Sequence, residues 1–370
     1  MDDLYALTLP LVESSSFDFE KVVCSHGFFM MAPNLWDPIN RILRRPLRLL
    51  SDPTTIVTVQ ISHHDPSSLL VQVLDTNIST TFSLSQQDQN HLLSQVARML
   101  RISEMEEEKV REFHRMHHEA KNRGFSRVLR SPTLFEDMVK SILLCNCRSL
   151  DMAKALCDLQ LEMRTNNSTD LLKSSSAATS GKRKRKYSST KEDSSEAQVG
   201  DFPSFKELAG VDHQFLQIRC NLGYRALSIV GLAQKIAKSK GKWLHELEKA
   251  EKTLLEGDTT ICDNVYEKLM RIKGFGSFAS SYVLTCMGNY QRIPADSETI
   301  RHLNKVHGRR CSKETLRRHV EDVYKKFAPF QFLAYWSELW EFYEKEFGNL
   351  STLEPSKYKT ISGSFPNKGK

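Results

Sequence analysis

The sequence predicts an α+β protein, with a small N-terminal antiparallel sheet followed by a mainly α-helical domain. Two observations carry this. Runs that alternate apolar and polar residues, as strands with one buried face do, occur only before Ser85. Beyond Ser85 apolar residues recur at helical spacing almost to the end of the chain. At 370 residues the chain is also too long for one small core, so more than one domain is expected.

In chain order, a short helix is expected over Phe19 to Cys24. Strands are expected at Thr55 to Ile61 (TIVTVQI), Leu69 to Leu74 (LLVQVL) and Thr81 to Leu84 (TFSL), separated by the turn-rich stretches HHDPSS and DTN. These make an α+β domain over residues 15–86. A helical domain follows over residues 87–350. Leu93, Val96, Met99 and Leu100 share one helical face, and Glu104 to Lys121 reads as a charged helix. Pro132 precedes the helix of TLFEDMVKSILL, which carries Leu134, Met138 and Ile142. Ile229, Leu232 and Ile236 define another helix over Leu227 to Ala237. Leu316, Val320, Val323 and Phe327 define the next, and Pro329 opens an aromatic one through Phe332, Trp336, Leu339, Trp340 and Tyr343. Residues 165–200 interrupt this domain with Ser, Thr, Asn and charge and almost no large apolar side chain. Such a segment cannot bury enough surface to offset its ordering entropy, so it is expected to be disordered. Residues 351–370 read as a basic, flexible tail.

Composition excludes several classes. No run of eighteen apolar residues exists, so no membrane span is expected. The short apolar run at the start has no basic segment before it and does not read as a secretory signal. Eight scattered cysteines do not form a disulfide framework and suggest a reducing compartment. The formal net charge is +7, of which +5 lies in Lys182, Arg183, Lys184, Arg185 and Lys186 and four charges in the last fourteen residues, leaving −2 elsewhere. Residues 261–320 nevertheless carry a local +6, so an anion contact should be a patch. The KRKRK run within the insertion fits a nuclear localisation signal, although a solvated charge run has the same composition.

The sharpest local feature is LMRIKGFGSFASSYVL, Leu269 to Leu284. A helix carrying Val265, Leu269 and Ile272 runs into Gly274-Phe275-Gly276, and a second helix follows with Ala279, Val283 and Cys286 inward. Two glycines around one apolar residue permit a tight hairpin. The first backbone N–H groups of the second helix would then point outward and can hold a phosphate, with Lys273 adding charge. The same glycines also suit a purely structural turn. Ile293-Pro294-Ala295-Asp296, with Asp296 twenty positions after Gly276, leads into a helix from Glu298 to Val306. Asp296 is expected to cap that helix, and a cap also fixes the orientation of a carboxylate that does chemistry.

These residues resemble the helix-hairpin-helix (HhH-GPD) DNA glycosylases, with their Gly/Pro-rich loop and Asp. The resemblance extends over residues 20–350. The helix after Pro132 is similar to the one that opens the glycosylase domain. Leu222-Gly223-Tyr224-Arg225-Ala226 resembles the GYRA segment of 8-oxoguanine glycosylases, and Phe327 to Trp336 resembles their closing helix. An N-terminal sheet before the helices is similar to the layout shared by alkyladenine (3-methyladenine II type) and 8-oxoguanine glycosylases. The resemblance implies that the hairpin of Lys273, Gly274, Phe275 and Gly276 grips the DNA backbone and that Asp296 is catalytic. It implies a partner, double-stranded DNA with a damaged or modified base, and a monomer without cofactor, while the nucleus is expected from the KRKRK run. Bifunctional members carry a Schiff-base lysine two positions after the second hairpin glycine. Here that position is Phe278, either a base-stacking residue like the aromatic of the alkylpurine branch or a core residue. This favours a monofunctional enzyme, with a bifunctional glycosylase/lyase or a non-catalytic DNA-binding protein as alternatives. Related enzymes fill the gap left by a flipped base from the loop after the opening helix. Here that loop is CNCRSL, so Arg148 is a plug candidate, as is Tyr224, which could instead be buried. Cys311 is the one cysteine beyond Asp296, which excludes the iron–sulfur cluster of some members. Cys145, Cys147, His114, His117 and His118 have the chemistry of metal ligands, but a plug loop and a polar helix face account for them, and no metal is expected.

Overall fold

A computed structural model describes residues 5–13, 16–74, 84–145, 149–165 and 200–362. Five antiparallel strands form one sheet in the order β1-β5-β4-β3-β2: β1 Tyr5–Pro10, β2 Leu35–Asp37, β3 Ile42–Arg48, β4 Ile56–Asp65 and β5 Ser68–Leu74. Helix α1 (Phe19–Val23) lies between β1 and β2. Two expected strands appear as β4 and β5. Of the third, residues 81–83 lie outside the described residues, and Leu84 is not in a strand but precedes a helix. The sheet starts at Tyr5, before the boundary expected at residue 15, because Leu7 and Leu9 pack inward while pairing with Val71 and Leu69.

Strand β3 has the least strand-like sequence, ILRRPLR, yet Leu43, Arg45 and Leu47 alternate inward opposite Ile61, Val59 and Val57. Pro46 lies beyond the stretch that pairs with β2, so its missing N–H costs no bond on that side. Arg45 is therefore a fully buried cation in the inner face of a sheet. Its Nη2 lies 3.1 Å from Glu136 Oε2, and Glu136 Oε1 lies 2.7 Å from Lys140 Nζ, which is buried too. Lys140 also stands 5.3 Å over the ring of Phe28. This charge triad joins the sheet to the helix that opens the second half.

Among the described residues that half has helices and no strand: α2 Gln86–Leu100, α3 Glu104–Met116, α4 His118–Asn122, α5 Leu134–Leu143, α6 Ser149–Thr165, α7 Phe205–Ala209, α8 His213–Arg219, α9 Arg225–Lys238, α10 Lys242–Leu255, α11 Cys262–Met270, α12 Ser277–Cys286, α13 Ser297–His307, α14 Leu316–Tyr324, α15 Gln331–Phe347 and α16 Tyr358–Ser362. The single charged helix expected to Lys121 is broken at His117. Its Nδ1 accepts the Ala120 N–H, and its ring stacks on Phe327 at 4.7 Å. Apolar residues of the sheet and the helices form one continuous core.

The insertion, including Lys182 to Lys186, falls outside the described residues but for its two ends. The chain re-enters at Gly200, flush against α6: a Cβ there would sit 2.0 Å from the Cys157 carbonyl oxygen. Asp201 then pairs with Arg48 at 2.7 Å. The tail is a correction. Through Ser362 it forms helical turns, with Leu350, Leu353 and Tyr358 buried, and Trp36 donates its indole N–H to Ser351 O at 2.7 Å.

The triad has a measurable pH signature. Burial alone would raise the Glu136 carboxyl, but Arg45 and Lys140 outweigh it and hold the group at about 2 against an ordinary 4.5. Its folded value is depressed, so its stabilisation is complete above the ordinary range and is lost as pH falls from about 4.5 towards 2. Glu136→Ala strands two buried cations. It should lose about 3–5 kcal/mol in urea unfolding at neutral pH and flatten the acid limb of the stability curve.

Candidate active site

Helices α11 and α12 meet at the glycine hairpin. Gly274 takes φ +92°, where a side chain is strained, and a Cβ on it would lie 2.2 Å from Ser228 Oγ on α9. Gly276 is different: its φ is −95° and a Cβ would meet nothing within 4 Å. Phe275, between them, is buried and anchors the turn, while Lys273 is exposed beside it. Gly276 is the N-cap of α12, and no side chain caps that end. The first-turn amides are thus presented outward at the positive end of the helix dipole, which suits an anionic oxygen.

Asp296 caps α13, as expected. Its Oδ1 accepts the Thr299 N–H at 3.0 Å and the Thr299 hydroxyl at 3.2 Å, while the Asp296 N–H donates to Thr299 Oγ1 at 3.2 Å. This reciprocal box holds the carboxylate in one orientation. Thr299 Oγ1 also lies 3.1 Å from Tyr335 OH of α15, which ties the box to the buried helix behind it. Water reaches Asp296, yet protein surrounds it on most sides. Desolvation, with the Glu298 charge beside it, raises its carboxyl above the ordinary value, against the opposing hydrogen bonds from Thr299 and the Glu298 N–H.

Next to Tyr335, Trp336 belongs to an aromatic group. Phe332 stacks on it at 5.5 Å, and His26 lies 4.9 Å from it and 5.1 Å from Tyr282, on which Phe278 stacks at 5.8 Å. Phe278 and Trp336 are half-buried, so each rests on the core with part of its ring accessible. Burial, with Lys140 and Arg101 nearby, lowers His26 to about 3, so its ring is neutral at physiological pH. The group is therefore an uncharged aromatic surface with an open edge, suited to stacking a flat ring.

Tyr224 is not buried; it is 64% exposed, with the Arg225 guanidinium 4.7 Å over its ring. Arg225 in turn donates to Cys145 O at 2.8 Å, just past the end of α5; burial first, and the Asp296 charge after it, raise the Cys145 thiol against the pull of Arg225. One helix, α9, thus supports three features: Tyr224, the loop end at Cys145 and, through Ser228, the hairpin. Arg148 and Cys147 lie outside the described residues. Three side chains weighed as ligands have other work. His114 Nε2 bonds Phe125 O at 2.8 Å, His117 caps α4, and Cys145 Sγ faces Ser141 O.

Sequence reasoning missed Ser228, Thr299, Tyr335, His26 and Tyr282 as parts of this region. Thr299 was findable, since Asp296-Ser-Glu-Thr299 has the spacing of a reciprocal cap. The others come from distant segments and leave no local signal.

Comparisons with known proteins agree with this architecture. The chain is similar to a 3-methyladenine DNA glycosylase from Archaeoglobus fulgidus (TM-score 0.60, 17% identity, covering 92% of this chain and 98% of that one). It is similar to MBOgg1, solved in complex with a low-affinity DNA ligand (TM-score 0.58, 15% identity, 94% and 98%). It is also similar to the apo form of the Clostridium acetobutylicum 8-oxoguanine glycosylase/lyase (TM-score 0.58, 13% identity, 92% and 96%). No family model matches the sequence, and no curated protein matches it. The fold is that of the 3-methyladenine and 8-oxoguanine DNA glycosylases, as the resemblance implied. No described helix is long and apolar enough to cross a membrane.

The two hairpin glycines should separate in a stability assay. Gly274→Ala meets Ser228 and a positive φ and should lose about 1–3 kcal/mol in thermal or urea unfolding. Gly276→Ser, facing open space at a helix N-cap, should stay within about 0.5 kcal/mol of the parent.

Proposed function

We propose that the protein is a monofunctional DNA N-glycosylase of base-excision repair, acting on a damaged or modified base flipped out of duplex DNA. The observation that carries this reading is the fixed Asp296 carboxylate in a glycosylase fold, with Phe278 where bifunctional relatives carry the Schiff-base lysine. A bifunctional glycosylase/lyase using another amine is the runner-up.

Breaking the bond between base and deoxyribose develops positive charge on the sugar. A carboxylate already oriented by its helix stabilises that charge without reorganising. Thr299 fixes Oδ1 of Asp296, and the carboxylate, reached by water, would orient or deprotonate the attacking molecule. The hairpin amides and Lys273 would hold the backbone phosphates. Extruding a base costs a few kcal/mol, least when the base is damaged or mispaired. Phe278 and Trp336 would recover part of this by stacking, and their electron-rich faces favour electron-poor rings such as alkylated purines. Tyr224, exposed and held by Arg225, would fill the space the base leaves; Arg148 is the second candidate.

In this mechanism the charge of Asp296 acts mainly in the transition state. Asp296→Asn can still cap α13, so it should keep duplex binding and melting temperature. Excision should fall on the order of a hundredfold or more, at least about 2.7 kcal/mol of barrier. The rate should rise with pH through a value above the ordinary aspartate range, because desolvation raises the group and the ionised form is the active one. Products should be intact abasic sites that break after alkali, with no borohydride-trapped adduct. A trapped adduct would falsify the monofunctional reading. Near-normal excision by Asp296→Asn would leave the residue only its role as a cap. Duplexes each bearing one modified base would identify the lesion.

The nucleus is the proposed location, on the strength of the KRKRK run. Replacing residues 166–199 with a short Gly/Ser linker should leave excision within a few-fold while a fluorescent fusion disperses from the nucleus. Unchanged nuclear retention would assign the run another task.

A further inference from the structure

The geometry points to a second site in this chain, a divalent transition-metal site at the far end of α13, formed by His302 Nε2, His307 Nε2 and Glu338 Oε2. The three atoms lie within 4.8 Å of one another. Glu338 Oε2 is 3.1 Å from His302 Nε2 and 2.8 Å from His307 Nε2. Histidines five apart do not share a face of a straight helix. His307, however, is the last residue of α13, before Gly308 at φ +62°, and its ring stands 5.7 Å from that of His302. Glu338 comes from α15. From α14, Tyr324 OH reaches Glu338 Oε2 at 2.6 Å and His307 Nε2 at 3.2 Å.

As a set of hydrogen bonds this cluster is overloaded. Three groups converge on one carboxylate oxygen, which has two lone pairs to offer. His302 is fully buried, and its other nitrogen, Nδ1, has no hydrogen-bond partner, so its tautomer is decided entirely on the Glu338 side. A cation at the centre would use both imidazole lone pairs and the carboxylate together, and Tyr324 would become the outer contact that orients the ligating oxygen. Bonds of about 2.0–2.1 Å to a tetrahedral zinc ion place neighbouring ligand atoms about 3.3–3.4 Å apart. The contacts of the two histidines to Glu338, 3.1 and 2.8 Å, approach this spacing, and all three atoms lie within 4.8 Å, so the set would close by shifts on the order of 1 Å. Two imidazoles and one carboxylate suit Zn²⁺ and its neighbours rather than calcium or a thiolate-seeking metal. His307 and Glu338 are 23% and 19% exposed, which gives a cation a way in.

The site would be structural. It would fasten α13 to α15, and α13 is the helix whose other end positions Asp296. The inference is independent of the proposed reaction and is tested without it. Tag-free, full-length protein, stripped with a chelator, would be titrated with Co²⁺ and then Zn²⁺. About one Co²⁺ per chain should bind with the visible d–d bands of a four-coordinate site, and Zn²⁺ should displace it and raise the melting temperature. His307→Gln and Glu338→Gln, both at partly exposed positions, should fold by far-UV circular dichroism and lose both responses. Absence of the bands together with an unmoved melting temperature at about a hundred micromolar metal would overturn the site, as would an undiminished response in the folded variants. Should a variant fail to fold, the wild-type Co²⁺ spectrum and stoichiometry decide.

Discussion

Helix α12 has its hairpin end at the surface and its other end in the interior, and charge fixes the interior end. Arg101 donates to the carbonyls of Thr285 and Cys286 at 2.8 and 3.2 Å, and Arg130 donates to Cys286 O at 2.6 Å. Both guanidiniums are almost wholly buried, and both are neutralised, Arg101 by Glu106 at 2.9 Å and Arg130 by Glu251. Lys109 adds bonds to Leu254 O and Gly288 O. Cations at the negative end of a helix satisfy carbonyls that have no partner within the helix, and they complement its dipole. The outward direction of the hairpin amides follows from this arrangement, because a helix held at one end has little freedom at the other. Since the arginines come from the C-cap of α2 and the segment before α5, the hairpin's aim is set by parts of the chain far from it in sequence.

A similar logic governs the junction between sheet and helices. Arg45 occupies a position that alternation reserves for an apolar side chain, and it is tolerated because α5 supplies Glu136 directly opposite. Removing water from three charges is costly, and their mutual attraction offsets this only in good geometry. The triad therefore fixes a register as well as a contact: a strand shifted by one residue would turn Arg45 to solvent and strand Glu136 with Lys140.

The same triad explains much of what the sequence concealed. Many helices with apolar stripes were legible, from Leu93–Leu100 to the aromatic face of α15, because each buries its stripe against one continuous core, whereas α6, α7, α8 and α10 were not read. Strand β3 was not, since its inward face reads Leu-Arg-Leu and a proline follows the arginine. β1 alternates too, with Leu7 and Leu9 inward, but it runs on into Leu11 and Val12 and reads as a short apolar stretch, and the break at His117 depends on Phe327, far along the chain. At the site, Gly274-Phe275-Gly276 and Asp296 were legible because each needs a particular backbone conformation or cap, which is local chemistry. The supporting residues Ser228, Tyr335 and His26 were invisible because their roles exist only after packing. His302, His307 and Glu338 escaped for the same reason, since the glutamate lies on a different helix from the histidines.

The last described turns close over the first third of the molecule: Ser351 accepts the indole N–H of Trp36, and Tyr358 packs edge-on against Phe29 at 5.3 Å. Synthesis runs from the N-terminus, so Trp36 and Phe29 emerge from the ribosome more than three hundred residues before their cover does. Throughout that interval the nascent N-terminal part carries Phe29 without its cover and an indole donor on β2 without its partner, a state open to non-native association. Completion of the first domain to be made thus waits on the final segment of the chain, and this gives folding chaperones a defined surface to shield.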